Sequence, residues 1–308
     1  MTGDLIRIGT FNKDAATLAA EAQGFLQAEN IRVELNIVTD SPTLMRNLIG
    51  GRYDLIHNNA DNVIAWSEGQ GADPAPNDFI IFLGGSQGLR QKLVVAPGVS
   101  GFGDLKGKIL AVDAPTTGFA IVMICILKKH SLELNRDYTM KAFGNTTKRA
   151  DAIGRGEASA GMMNLSDDEI EKRGFRVLAR SENYVEQYAR GLGATRREWA
   201  EANEELLVRF IRAMIRATDW VMDPRNKGEA IKLLLPENKN SLAAANETYE
   251  ESVSPKFGIT PRIRVDLEGI RTALELREKA GLMKRPLPKP EKYVDDRFYQ
   301  KALATLEA

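Results

Sequence analysis

Short apolar runs recur along the chain, each ending in a polar break and each followed by apolar residues at helical spacing. Leu5 to Thr10 predicts a first strand and Phe11 to Asp14 the loop after it. Leu18, Ala22 and Phe25 then share one face of a helix predicted over about Ala15 to Ala28. Ile31 to Val38 alternates, with Val33, Leu35 and Ile37 on one side of a second strand. In the exit Thr39-Asp40-Ser41-Pro42, Pro42 suits the first position of a helix with Ser41 as its cap, and that helix stops at Gly50-Gly51. Tyr53 to Ile56 is a third strand, and His57-Asn58-Asn59-Ala60-Asp61-Asn62 opens a third helix running through Trp66 and Glu68. The order is βαβαβα.

Gly69 to Asp78, rich in Gly, Pro and Asp, reads as a surface loop. Strands follow at Phe79 to Leu83 and Lys92 to Ala96. From Asp104 to Leu127 a charged turn, a strand (Lys108 to Asp113), a polar break and an apolar helix succeed one another. Pro115 ends the strand, and Thr116 or Thr117 can cap the helix through its hydroxyl. Free N–H groups and the positive end of the helix dipole then point out of the sheet edge, where an anionic ligand is welcome; the plainer reading is that the threonines only cap. Tyr138 to Phe143, Thr147 to Gly154, Ala158 to Met163, Asp167 to Arg173 and Phe175 to Ala179 alternate strand and helix again, so the second half repeats the first. The repeat shows locally: a helix stopping at Gly50-Gly51 precedes a strand ending near Asn58, and one stopping at Gly154 precedes a strand ending near Asn164.

Thr195 and Glu198 have the spacing of a capping box. From Asn203 a long amphipathic helix sets Leu206, Leu207, Phe210, Met214 and Trp220 on one side and Arg209, Arg212 and Arg216 on the other, a stripe read as a solvated face. Asp223-Pro224 stops it. Helices are predicted over Lys227 to Leu235, Leu242 to Ser252 and from Asp295 onward, with Pro286 to Pro290 as an extended strap.

At 308 residues the chain suits two lobes, each with its own core. Basic and acidic residues number 42 each, which cancels the general pull towards nucleic acid. The longest apolar run, Phe119 to Leu127, is too short to span a bilayer. Cys125, the single cysteine, lies inside that run and reads as a small buried hydrophobe. Met1-Thr2-Gly3-Asp4 enters a strand without a basic or apolar leader, so either the chain works in the cytoplasm or an export signal has been removed. With His57 and His130 as the only histidines and no clustered carboxylates, no metal site and no cofactor are expected.

Asp104-Leu105-Lys106-Gly107-Lys108 before its strand, and the stretch from Trp199 to Ala213 leading to Asp219-Trp220 and Asp223-Pro224, resemble type II periplasmic binding proteins. The similarity is greater to the nitrate, sulfonate and taurine binding family with its thiamine-precursor relatives, and it covers nearly the whole chain. It implies a two-lobed α/β fold, each lobe a mostly parallel sheet flanked by helices, joined by a two-strand hinge. Residues 1–92 with 191–308 would form one lobe and 93–190 the other. The resemblance further implies the solute-binding component of an ABC importer: periplasmic, monomeric, meeting a permease, and closing on a small organic anion such as a sulfonate or carboxylate. By that resemblance, solute sits at strand carboxyl ends and helix starts, which here are Phe11, Asn12, Ser41, Asn58, Asn59, Thr116, Thr117, Asn145, Thr146 and Asn164. Phe11, Trp66 and Phe119 are candidates for an apolar wall, Trp66 reading better as core. The rival is an intracellular enzyme on the same fold acting on a small aromatic or pyrimidine-like substrate. Its acid/base would be His57, oriented by Asp61 four residues on, although a lone histidine without a nucleophile or metal partner reads better as a structural residue or one lining the polar ligand pocket. The cysteine cluster of the yeast-type pyrimidine synthase is absent from Tyr184 to Gly193, and the sulfinate desulfinase thiol has no counterpart near Asn12.

Overall fold

The computed structural model describes residues 3–306; Met1 and Thr2, on which the reading of the N-terminus partly rests, lie outside them. Ten strands form: β1 (Asp4–Thr10), β2 (Ile31–Ile37), β3 (Leu55–Asn58), β4 (Phe79–Leu83), β5 (Lys92–Val95), β6 (Lys108–Val112), β7 (Tyr138–Ala142), β8 (Ala160–Met163), β9 (Arg176–Arg180) and β10 (Leu192–Arg196). They make two five-stranded sheets, ordered β2-β1-β3-β10-β4 and β7-β6-β8-β5-β9. Within each sheet the three strands joined by helices run parallel, and the fourth position holds one antiparallel strand. In each case that strand, β10 or β5, is the one by which the chain enters from the other sheet. The repeat read from the sequence is thus an architectural one, and the fold is the two-lobed α/β arrangement.

Strand alternation assigns the faces. In the first sheet Ile6, Ile8 and Leu55 pack with helices Ala15–Ala22 and Glu204–Met222, while Ile56 faces Leu44, Met45, Val63 and Ile64 of helices Ser41–Ile49 and Ala60–Ser67. In the second, Leu93, Leu110 and Met162 face helix Gly118–Lys129, and Val94, Ala111 and Met163 face helix Thr146–Gly154. The cluster on the Ile56 side runs without interruption into the cluster on the Leu110 side, so one apolar core spans both lobes. Helix Leu267–Lys279 closes it, packing on helix Ala60–Ser67 and on helix Gly118–Lys129.

The chain crosses between sheets at residues 84–91 and 181–191. The crossings bond to each other: Ser86 N–H donates to the Arg190 carbonyl (2.8 Å), Arg190 N–H to that of Ser86 (3.0 Å) and Ser181 N–H to that of Gln91 (2.8 Å). A third strand of chain braces them, Thr260 N–H reaching the Gly85 carbonyl at 2.9 Å and Gly84 N–H the Ile263 carbonyl at 2.8 Å. The approach is so close that a Cβ at Gly84 would collide with the Arg264 carbonyl.

Several local readings need correction. The helix expected over Ala15 to Ala28 breaks where Gly24 takes φ 73°, leaving Ala15–Ala22 and Phe25–Ala28. Asp40, not Ser41, caps helix Ser41–Ile49, its carboxylate accepting from Thr43 N–H at 2.8 Å. Thr195 caps nothing; it lies in β10 and its hydroxyl donates to the Asp54 carbonyl at 2.6 Å. The arginine stripe is no solvated face: Arg212 and Arg216 converge on the buried Glu29 carboxylate, and Arg209 donates to the Glu29 carbonyl at 2.7 Å. Helix Leu267–Lys279 went unread, although Ile270, Ala273 and Leu274 carry its apolar spacing and Asp266 its cap.

Candidate ligand site between the lobes

Parallel strands in both sheets deliver their carboxyl ends, and the helix starts that follow them, to a common edge. Helix Ala60–Ser67 begins just after β3 and places Asp61 in its first turn, 2 % exposed. The Asp61 carboxylate reaches beyond its own helix. Oδ1 accepts from the Tyr188 hydroxyl, which hangs from the second crossing, and the carboxylate packs against Gly118, first residue of helix Gly118–Lys129 in the other lobe, so closely that a Cβ there would collide with Oδ1. Asp113, one residue beyond β6, stands the other way round: its carboxyl lies by the start of helix Ser41–Ile49, where the Ser41 N–H opposes the rise that burial imposes on it. Each lobe therefore sets a carboxyl group beside a helix start of the other. Thr117 stands at the cap position of helix Gly118–Lys129, but its hydroxyl turns back to the Ala114 carbonyl at 2.9 Å, leaving that helix start to Asp61.

Arg277, fully buried in helix Leu267–Lys279, supplies the cation. Its guanidinium donates to Gln70 Oε1 at 2.5 Å and to the Thr116 carbonyl at 3.5 Å, and it interacts with the Asp61 carboxylate. Burial pushes the Asp61 carboxyl above its ordinary value against the opposing pull of Tyr188, Arg277 and the Gly118 N–H, and it raises Asp113 and lowers Arg277 for the same reason. Four polar atoms here are buried without a partner: Ser41 Oγ, Asp61 Oδ2, Asp113 Oδ1 and Arg277 Nε.

The expected site residues divide into three groups. Ser41, Thr116 and Thr117 lie in this constellation, Thr116 through its carbonyl and Thr117 as the residue before Gly118. Phe11 and Phe119 are half-buried against the core that spans the lobes. The loop holding Asn145 faces the first lobe, since a Cβ on Gly144 would stand 3.6 Å from the Thr39 carbonyl, yet Asn145 itself caps its helix through Lys148 N–H (3.1 Å) and Thr146 accepts from Arg149 at 3.1 Å. Asn58 is spent inside its lobe on Met45, the Asn59 N–H and Asn62, and Asn59 accepts from Gly191 N–H at 3.2 Å. Asn12 and Asn164 are exposed. Trp66 is core, 2 % exposed.

His57 is on the far side of the sheet. It alternates with Asn58, so it shares the face of Leu55 and lies among Thr17, Leu35, Phe210 and Met214. Its carboxylate neighbour is Asp14, with Nδ1 3.6 Å from Oδ2, and not Asp61, which is turned to the cleft. Replacing His57 by alanine should lower stability by about 0.5–3 kcal/mol, as core truncations do. Solute affinity should stay within about tenfold. Urea unfolding and a ligand titration on the same preparation check both, and a large loss of affinity with intact stability would return His57 to the cleft.

Asp61 entered the sequence reading only as a partner for His57 and Asp113 only as the end of a strand, and Tyr188 and Arg277 did not enter it. A signal existed for Arg277: it continues the apolar stripe Ile270, Ala273, Leu274 at i+7, i+4 and i+3, a core position held by a charge. Among the described residues no three His, Cys, Asp or Glu side chains are grouped to hold a metal ion, and no helix is long and apolar enough to cross a membrane. Burial pushes the Cys125 thiol up to about 11, and its Sγ lies 3.6 Å from the Leu276 carbonyl, so it is a packing residue between two helices.

Two facing α/β lobes with helix starts converging between them define a binding-protein fold. The family model described as ABC transporter, phosphonate, periplasmic substrate-binding protein matches residues 18–218, and the chain belongs to that family. Among solved structures it is similar to the periplasmic nitrate-binding protein NrtA from Synechocystis PCC 6803, with TM-score 0.79 at 12% identity over 99% of this chain and 89% of that one. It is similar also to the alkanesulfonate-binding protein SsuA from Xanthomonas axonopodis pv. citri bound to MOPS, with TM-score 0.70 at 18% identity over 95% and 98%. The desulfurization enzyme DszB shares the architecture, with TM-score 0.65 at 15% identity over 98% and 99%. At these identities the likeness is one of fold. No curated protein matches the sequence.

Proposed function

We propose that this protein captures a small organic anion between its lobes and delivers it to an ABC permease. Family membership supplies the transport role and the periplasmic setting. The observation that carries the choice of an anion is the pair of helix starts turned into the cleft, at Gly118 and Ser41, beside a buried arginine. Oxyanion solutes suit such a site, and the structurally similar proteins are named for nitrate and alkanesulfonate. The ligand-side residues in this reading are Ser41, Thr116, Thr117 and Gly118 with Arg277, Phe11 and Phe119 forming the wall. Residues 93–190 move against the rest about the two crossings, and the protein acts as a monomer. The enzymatic reading rests on His57 as its base, and His57 faces away from the cleft.

A thermal-shift and calorimetric panel of phosphonates, sulfonates, carboxylates and pyrimidines tests the proposal. A ligand at 100 times its dissociation constant adds about 2.7 kcal/mol of stability. At least one anion is expected to do so while neutral pyrimidines do not; no shift with any anion would remove binding as the role.

A further inference from the structure

We propose that Asp61 is a built-in stand-in for the solute's oxyanion: its carboxylate holds the start of helix Gly118–Lys129 in the empty protein and yields that place when solute binds. The inference rests on the reading of the cleft as an anion site and adds the residue that sets its affinity.

Three observations lead to it. The helix start has no side-chain cap of its own, because the Thr117 hydroxyl is committed to Ala114, and the acceptor packed against Gly118, the Asp61 carboxylate, comes from the opposite lobe. A carboxylate sent across a cleft to a helix start does what an oxyanion ligand does there, by the same N–H donation and the same dipole. Next, the fit is incomplete. Asp61 Oδ2 is an acceptor without a donor, and Arg277 Nε is a donor without an acceptor, both on side chains buried to 2 % exposure or less. A purely structural contact would be selected to satisfy them, since an orphaned buried group costs about 1–3 kcal/mol. A solute oxyanion at this place would accept from Gly118 N–H and Arg277 Nε, and Asp61 would be free to turn out of it. Last, the arrangement occurs twice. Asp113 stands by the start of helix Ser41–Ile49 from the other side, with Oδ1 and the Ser41 hydroxyl again lacking partners, although there Asp40 caps the helix through Thr43 N–H. A reciprocal pair of internal anions keeps the lobes together and sets a threshold that a solute must exceed.

The charge of Asp61 is thus a competitor, and removing it should tighten anion binding. Asp61→Asn keeps the size of the side chain and an oxygen to accept from Tyr188 and Gly118. Titrations with methylphosphonate, ethanesulfonate and acetate, on the wild type and on Asp61→Asn, read the effect. The affinity of at least one of these anions should rise about tenfold or more in Asp61→Asn, and Asp113→Asn should act in the same direction. Binding by the variant where the wild type shows none would also support the inference. Unchanged or weaker anion binding in both variants overturns it while leaving the wild-type affinity, and so the functional reading, standing. If neither wild type nor variants bind any of the three anions, the functional reading falls and the inference with it. A loss in Asp61→Asn confined to an amine-bearing solute such as 2-aminoethanesulfonate would make Asp61 a direct solute contact and would likewise overturn the stand-in role. Should Asp61→Asn fail to fold, Asp113→Asn decides.

Discussion

Arg277→Ala should lower the thermal midpoint by on the order of 10 °C. The side chain has no exposure, donates to Gln70 and the Thr116 carbonyl, and is the cation facing Asp61, Glu68 and the hydroxyls of Tyr188 and Tyr293. Removing one partner from a buried charged cluster costs about 3–5 kcal/mol, because the carboxylate left behind keeps its desolvation penalty without its attraction. In chains of this size each kilocalorie moves the midpoint by roughly 2–4 °C. Helix Leu267–Lys279 is also the element that touches both lobes, so the loss should appear in the unfolding of the whole molecule and not of one lobe. Arg277→Lys should cost less, keeping the charge and losing the fork that reaches two acceptors at once. The mechanism has its own check: in an Asp61→Asn background the cost of Arg277→Ala should shrink by about 1 kcal/mol or more, the coupling expected of neighbours in one network. Calorimetric scans of the wild type, the three single variants and the double variant measure all of this. A midpoint unmoved by Arg277→Ala would mean that the cluster is not held by that charge.

Gly118→Ala should leave both lobes folded and keep them apart. The residue opens a helix and has no left-handed backbone, so alanine suits the local conformation and favours the helix by up to about 1 kcal/mol. The Cβ, however, would collide with the Tyr188 hydroxyl and the Asp61 carboxyl group, which meet this helix start from the second crossing and the opposite lobe. Those neighbours are buried and cannot step aside without opening the site. Solution scattering should therefore report a larger radius of gyration for the variant than for the wild type, with helix and strand content unchanged by circular dichroism. Solute affinity should fall by at least about tenfold, or 1.4 kcal/mol, since a site assembled only in the closed state is taxed by the free energy now needed to close it. Identical scattering curves for the two proteins would show that this contact does not govern closure.

The order of strands and helices was legible because it is written locally. Period-two alternation at Ile31 to Ile37 and helical spacing from Glu204 to Met222 can be read from neighbours within a turn or two, as can glycine stops at Gly50 and Gly154. The near repeat of one lobe in the other was visible for the same reason. Its topology, with one antiparallel strand in the same place of each sheet, follows from the chain crossing twice. Even the face of His57 was within reach, since parity with Leu55 and Asn58 puts it opposite the asparagine, although that alternation was not applied to it.

The partners of charges were not legible, and they make the site. Asp61 looked like a neighbour for His57 because four residues separate them, whereas the groups it meets are 57 and 127 positions away, Gly118 by packing and Tyr188 by a hydrogen bond. Arg212 and Arg216 looked solvated because no acid faces them on their own helix; Glu29 reaches them from 183 and 187 positions away. Helix caps failed in the same manner at Ser41 and Thr117, where any hydroxyl in the right place fits the local rule, whereas Asp40 takes the Thr43 N–H and the Thr117 hydroxyl turns back to Ala114. Propensity and periodicity are summed over near neighbours, so the sequence by itself determined two repeated α/β lobes and the apolar faces they bury. A buried charge is held by whichever group the closed fold brings within about 4 Å, and that choice is settled when the lobes meet.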